Sequence, residues 1–503
     1  MKRKSGILLP VFSLPGKYGI GGFTKEAYRF VDFLVKAGQS YWQILPIGPT
    51  SYGDSPYQSF STFAGNPYFI DLDELKAQGL LTARELRELP EVAKEHTIDY
   101  EMLYHSRYEL LKKAYMRRNP EDSEYRRFLD ENEDWLKDYA LFMAIKDANG
   151  GVSFTKWDER LRKREAEALR DFEAEHPEEI GFYCFLQYHF FRQWYQLKQY
   201  ANERGISIIG DIPIYVAADS ADTWSRPELF QMDEEGHLTA VAGCPPDGFA
   251  AKGQLWGNPL YRWENHEKDH FSWWTERIRA CSRLYDVIRI DHFRGFDQYY
   301  SIPATDETAE RGHWEDGPGI RLFEALSENL GELDIIAEDL GYMTDSVRQL
   351  VRDTGFPNMK VLEFAFDGRD SSTAGVKEAE NEYLPFNYHQ NCVAYTGTHD
   401  NETLLGWLHS ISPAEQHYVK EYLGLPQRTA LGKLVDPLIR LVHSSVADLA
   451  IIPLQDYLGL DNRARTNRPS TIGTNWMWRV DKKDLNASLA KRIRALSGIY
   501  GRI

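Results

Sequence analysis

Short apolar runs recur along the chain, bounded by turn residues and separated by stretches whose apolar positions repeat with helical spacing. Near-continuous runs of this kind mark parallel strands buried on both faces. Eight are predicted: Gly6–Leu9, Tyr41–Ile47, Ile206–Ile214, Asp286–Asp291, Asp334–Asp339, Lys360–Phe364, Cys392–Asp400 and Leu449–Asp456. An amphipathic helix is predicted over Thr24–Ala37, with Thr24 suited to cap its start and Gly38 to end it. Further helices are predicted over Tyr183–Arg204 and Lys268–Leu284. Alternation of strand and helix implies a parallel sheet, and eight repeats fit a closed (β/α)8 TIM barrel in the α/β class. A doubly wound open sheet is the alternative, but no G-x-G-x-x-G loop follows any strand.

A barrel of this type needs about 250 residues, and the chain has 503, so the surplus sits in insertions on one catalytic barrel spanning 1–503. The charge-dense section 73–181 has helical spacing and reads as an inserted helical subdomain, with Trp135, Leu141, Phe142 and Trp157 as apolar anchors. The Gly/Pro-rich, aromatic section 219–266 reads as a loop-rich insertion.

Composition narrows the class of protein only a little. No apolar run approaches the roughly 20 residues of a membrane span. The N-terminus, MKRKSGILLPVF, has the basic start of a signal peptide, but its apolar run is too short, and a cytoplasmic location is expected. Cys184, Cys244, Cys281 and Cys392 lie far apart and form no C-x-x-C pair, which suggests free thiols rather than a zinc site or disulfide scaffold. A formal charge of −17 argues against nucleic-acid or anionic-membrane partners. The 13 Trp and 29 Tyr suit the stacking of sugar rings, though core packing alone also accounts for them.

What ends the strands is more informative. Asp211 lies toward the end of the third run, Asp291 ends the fourth, Glu338 stands at the end of the fifth and Asp400 of the seventh. Residues at the C-terminal ends of barrel strands converge on one mouth. Single acids such as Asp339 and Asp456 suit the capping of a following turn, but four acidic ends beside Arg289, His292 and His399 point to a catalytic cluster. Clustered carboxylates serve either metal-assisted chemistry or glycosidic cleavage, where one carboxylic acid protonates the departing oxygen and a second carboxylate attacks the anomeric carbon. Arg289 favours the second. Two residues before Asp291 it faces the same side of the strand, where it should lower the Asp291 pKa and compete with any cation. Glu338 must instead hold its proton, which crowding by Asp291 and Asp400 would favour.

The segments VIRIDHFRG (287–295), IIAEDLG (335–341) and YTGTHDN (395–401) resemble the conserved segments of the α-amylase clan. The stretches 45–72, 210–224 and 242–263, with RTNRPST (465–471) and NWMWR (475–479), are most similar to the 4-α-glucanotransferases called amylomaltases or disproportionating enzymes, glycoside hydrolase family 77. The resemblance covers nearly the whole chain. It implies a retaining transfer of α-1,4-glucan segments between maltooligosaccharides. Asp291 would be the nucleophile, Glu338 the general acid and base, and Asp400 the holder of ring hydroxyls and stabiliser of the transition state. Carboxyl pairs of this kind sit about 5–5.5 Å apart. His292 and His399 would donate to sugar hydroxyls, Asp211 would orient or support, and Tyr57 and Trp256 would be stacking platforms. Asp247, Gln254 and Asn462 match hydroxyl-binding positions. The loop 242–257 would cover the cleft and favour sugar acceptors over water, and Gly248 stands where some relatives carry an aromatic. The resemblance implies no C-terminal β-sandwich and no cofactor or required metal. The remaining alternatives are an α-1,4-glucan hydrolase sharing the same trio, a metal-dependent barrel lyase or isomerase, and an inactive glucan-binding protein.

Overall fold

The computed structural model describes residues 3–50, 54–90, 96–246, 252–341, 343–369 and 378–503. Twelve strands are found among them: β1 (Lys4–Leu8), β2 (Tyr41–Gln43), β3 (Ser207–Pro213), β4 (Ala240–Cys244), β5 (Gln254–Pro259), β6 (Val287–Asp291), β7 (Gln298–Pro303), β8 (His313–Asp316), β9 (Ile335–Ala337), β10 (Asn358–Val361), β11 (Cys392–Tyr395) and β12 (Leu449–Pro453). Eight of them close into a parallel barrel in the order β1-β12-β11-β10-β9-β6-β3-β2. All eight predicted runs overlap these barrel strands; most strands are shorter than their runs, while β1 and β10 begin two residues earlier than predicted.

Alternation along each strand separates two cores. Leu8, Ile209, Ile336, Met359, Val361, Val393, Tyr395, Leu449 and Ile451 fill the barrel interior. Their neighbours Ile7, Ile208, Ile335, Ala394, Ala450 and Ile452 face the surrounding helices. Side chains two residues apart on a strand share a face. Asp211 therefore continues the inward row begun by Ile209, and Glu338 the row begun by Ile336. Register carries this across strands: β3 pairs with β6 so that Asp211 lies opposite Arg289, and β6 pairs with β9 so that Ile290 lies opposite Ala337. Asp291 and Glu338 are the next residues along, on neighbouring strands spaced about 4.8 Å apart.

The first helix runs Lys25–Lys36, with the Thr24 hydroxyl accepting the Glu26 N–H and Gly38 at φ +67° just beyond its end. The described residues between β2 and β3 include the helices Tyr100–Tyr115, Ser123–Glu131 and Glu133–Ala148. The helix predicted from Tyr183 begins earlier, at Pro177, and runs to Asn202. Proline is well suited to the first helical position, and Glu178 and Glu179 favour the positive end of the helix. The helix predicted over Lys268–Leu284 is two helices, Trp263–Lys268 and Ser272–Leu284, broken where His270 and Phe271 both adopt positive φ.

The section 219–266, predicted as loop, contributes more order than expected. Its strands β4 and β5 join β7 and β8 in an antiparallel sheet of order β5-β4-β7-β8. The partners stand on either side of β6 in sequence, so no single segment carries the signal. No helix among the described residues is long and apolar enough to cross a membrane. At the β1–β12 seam, buried Arg502 donates to the carbonyls of His443, Ser445, Ala447 and Lys4.

Gly210 precedes Asp211 on the outward face of β3, and a Cβ there would lie 2.1–2.3 Å from the buried Tyr285 ring. Gly210→Ala is expected to lower unfolding free energy by about 1–3 kcal/mol through overpacking. The urea midpoint measures this, and an unchanged midpoint would show that Tyr285 swings aside freely.

Candidate active site

The barrel mouth is organised by one cation. Arg289 is 3 % exposed, and its Nη1 lies 2.7 and 2.6 Å from the two oxygens of fully buried Asp211 and 3.1 Å from Asp291 Oδ1. Its Nε reaches the Met359 sulfur inside the barrel. A buried charge of this kind is tolerable only when paired. Sequence analysis expects Arg289 to hold Asp291 low, and the structure corrects this. Burial is the largest influence on Asp291 and pushes it up to about 7, with Arg289 pulling against it and Asp211 and Asp400 adding to the rise. Burial therefore outweighs the pull of Arg289, which is shared between two carboxylates and sits closer to Asp211.

Glu338 is held from the backbone. The His292 N–H donates to Oε2 at 2.6 Å and the Leu340 N–H to Oε1 at 2.8 Å. The first bond requires the chain to turn sharply after Asp291, and His292 takes φ +53°, a left-handed conformation that costs a non-glycine residue about 1–3 kcal/mol. Burial, then the charge of Asp291, lifts Glu338 to about 8 against the pull of Arg289 and these two bonds. Glu338 is 8 % exposed, whereas the Asp291 side chain keeps 28 % of its surface open and is better screened. Both effects give the proton to Glu338 before Asp291, the division of labour that an acid and a nucleophile need.

Asp400 sits on the turn after β11, where Asn467 Nδ2 donates to its Oδ1 at 2.6 Å and Arg465 to its backbone carbonyl at 2.6 Å. Sequence reading passed over both residues, although they lie in the quoted RTNRPST segment. Tyr57, expected as a stacking platform, is bound on both sides. Its hydroxyl donates to Asp211 at 2.9 Å, and its ring lies parallel to His399 at 5.3 Å. His399 Nε2 stands 2.8 Å from the same hydroxyl. The tyrosine proton is committed to Asp211, so His399 must carry its proton on Nε2 and donate it to Tyr57, with Asp400 Oδ1 3.4 Å away. That proton, expected on a sugar hydroxyl, is occupied within the protein. His292 differs: its buried Nε2 has no partner among the described residues, and burial, then Arg294, lowers its pKa to about 3. A neutral imidazole with a free nitrogen suits a ligand hydroxyl.

Trp256 on β5 packs edge-on to His292 at 4.8 Å and donates its indole N–H to Gln254. The antiparallel sheet thus brings both predicted residues to the mouth. Asn462 is used otherwise: its carbonyl accepts the Thr403 N–H and its amide donates to Glu402, which pins the segment after Asp400. Asp247 lies outside the described residues.

Inward carboxylates at the C-terminal ends of neighbouring strands in a closed parallel barrel define the mouth of a (β/α)8-barrel enzyme. The family model for 4-alpha-glucanotransferase matches residues 9–485. A 4-alpha-glucanotransferase from Clostridium butyricum is 48 % identical over 98 % of this chain and 99 % of its own, and one from Thermus thermophilus is 45 % identical over 99 % and 98 %. Among solved structures, an amylomaltase from Streptococcus agalactiae in complex with acarbose is 40 % identical, covers 100 % of both chains and superposes with a TM-score of 0.94. The chain belongs to the 4-alpha-glucanotransferase family, and its activity is transglycosylation.

The raised Glu338 pKa has a consequence for stability. The folded protein binds this proton up to about pH 8, the unfolded chain only to about 4.3. Folded protein holds more protons across that window, so stability falls as pH rises through it. Glu338→Gln is expected to flatten the decline of the urea midpoint between pH 5 and 8. The slope is the readout, because the glutamine amide nitrogen cannot accept the His292 N–H. An unaltered slope would remove Glu338 as its source.

Proposed function

We propose that Asp291, Glu338 and Asp400 carry out the transfer as a retaining double displacement. Glu338 gives its proton to the glycosidic oxygen while the Asp291 carboxylate attacks the anomeric carbon. The reducing-end segment leaves with a new 4-hydroxyl, and the donor segment stays as an ester on Asp291. Glu338, now ionised, takes the proton from the 4-hydroxyl of an acceptor glucan or glucose, and that oxygen displaces Asp291. One α-1,4 bond breaks and one forms, and two inversions restore the configuration. The observation that carries this reading is the β6–β9 register. It puts Asp291 and Glu338 at adjacent strand ends on the same inward face, which supports their acting as a pair.

The surrounding groups take supporting parts. Arg289 holds Asp291 toward the sugar, while Asp211 balances its remaining charge. Asn467 and His399 orient Asp400, which binds ring hydroxyls and stabilises the oxocarbenium-like transition state. His292 donates to a hydroxyl, Trp256 and Gln254 line the sugar path, and the section 219–266 covers it. The substrates are maltooligosaccharides and longer α-1,4-glucans. The names of the curated relatives favour transfer over the hydrolase reading, which shares the same trio.

Incubation with maltotriose is expected to yield glucose and a ladder of longer products. Glucose and maltose alone would support the hydrolase. Asp291→Asn should lower kcat by at least about a thousandfold while glucan affinity, measured by calorimetry, changes little. Retained turnover would overturn the assignment of the nucleophile.

A further inference from the structure

We propose that a second carbohydrate site, separate from the barrel mouth, lies in a cleft of about 210 Å³ between the helices Glu133–Ala148, Pro177–Asn202 and Ser272–Leu284, and that it grips long glucan chains. The identity of the sugar rests on the transfer reading above; the existence of the site does not.

The cleft has the two features that a sugar ring needs. Phe63 and Trp135 are near-parallel, 21° apart with centroids at 6.3 Å, and Tyr195 beside them is 40 % exposed. Such rings match the apolar C–H faces of a sugar. The same lining carries Arg226, Arg279, Asp134 and Glu276, none of which makes a side-chain hydrogen bond or ion pair among the described residues. These are uncommitted donors and acceptors, suited to bonds with hydroxyls. The mixture of signs decides the ligand class. Carboxylates repel a phosphate and guanidinium groups repel a cation, whereas a neutral polyol uses both. The volume is below the ~300–1,000 Å³ of pockets that engulf a small molecule, so the cleft holds part of a chain that continues past it.

The cleft also lies within reach of the mouth. Phe63 follows Tyr57 by six residues, at most about 20 Å of extended chain. That segment is pinned to the opposite wall, with the Ala221 N–H donating to the Phe60 carbonyl and the Thr62 N–H to Asp222, both at 2.8 Å. A polymer held in the cleft is therefore concentrated near the barrel mouth, whereas a trisaccharide is too short to benefit.

The test compares wild type with Trp135→Ala, Tyr195→Ala and Ala280→Trp, the last of which fills the cleft. Two readouts are retardation on native gels containing amylopectin, and KM for amylopectin against KM for maltotriose. Retardation is expected to fall and the amylopectin KM to rise at least about fivefold, with maltotriose kcat and KM within about twofold of wild type. Unchanged retardation and polymer KM in Tyr195→Ala and Ala280→Trp would overturn the proposal, as would parallel losses on both substrates. Those two variants decide the matter if Trp135→Ala fails to fold. Failure of wild type to convert maltotriose would sink the transfer reading instead, and gel retardation would still test the cleft.

Discussion

One guanidinium buried among carboxylates is the constraint on which the barrel mouth depends. Arg289 stands opposite Asp211 in the β3–β6 register and two residues before Asp291 on its own strand. One positive charge faces two negative ones, so the cluster keeps a net negative charge in a place where water is scarce. Each further acid brought near is pressed to hold its proton, and Glu338 on the neighbouring strand is the first to do so. The acid and the nucleophile differ in how deeply each is buried and in which of them holds the cation: Arg289 bonds Asp291, while Glu338 is held by backbone N–H groups.

The same cluster fixes proton positions some way from Arg289. Asp211 accepts from Tyr57, Tyr57 accepts from His399, and His399 stands beside Asp400. Each bond dictates the direction of the next, so the tautomer of a histidine near β11 follows from an arginine on β6. Networks of this kind are rigid when every member is satisfied. Two ring nitrogens here have no partner among the described residues, His399 Nδ1 and His292 Nε2. The His292 backbone serves Glu338 while its side chain is left to a ligand.

Much of this was legible in the sequence, for reasons that particular residues show. The strands were readable because inward and outward positions are both apolar, and their ends because Ile209–Asp211 and Ile336–Glu338 continue one inward row into an acid. The antiparallel sheet was not readable. Its strands are short, and Gln298–Pro303 pairs with Ala240–Cys244 across the intervening β6. The helix break at Phe271 escaped because neither His270 nor Phe271 is a residue that announces a positive φ. Asn467 escaped because a contact with a partner 67 residues away leaves no periodicity. The direction of the Asp291 shift was misread because spacing shows that Arg289 is near but neither how deeply Asp291 is buried nor that Arg289 is shared with Asp211.

The closure of the barrel by β1 and β12 has a consequence for how the molecule comes to exist. Lys4–Leu8 hydrogen-bonds to Leu449–Pro453, so one flank of β1 waits until β12, more than 440 residues on, has been made. During synthesis that flank exposes unpaired backbone, a template for wrong partners. Pairings so distant along the chain also form slowly. The nascent chain is thus exposed to aggregation until β12 leaves the ribosome, and holding chaperones would find their surface at that seam.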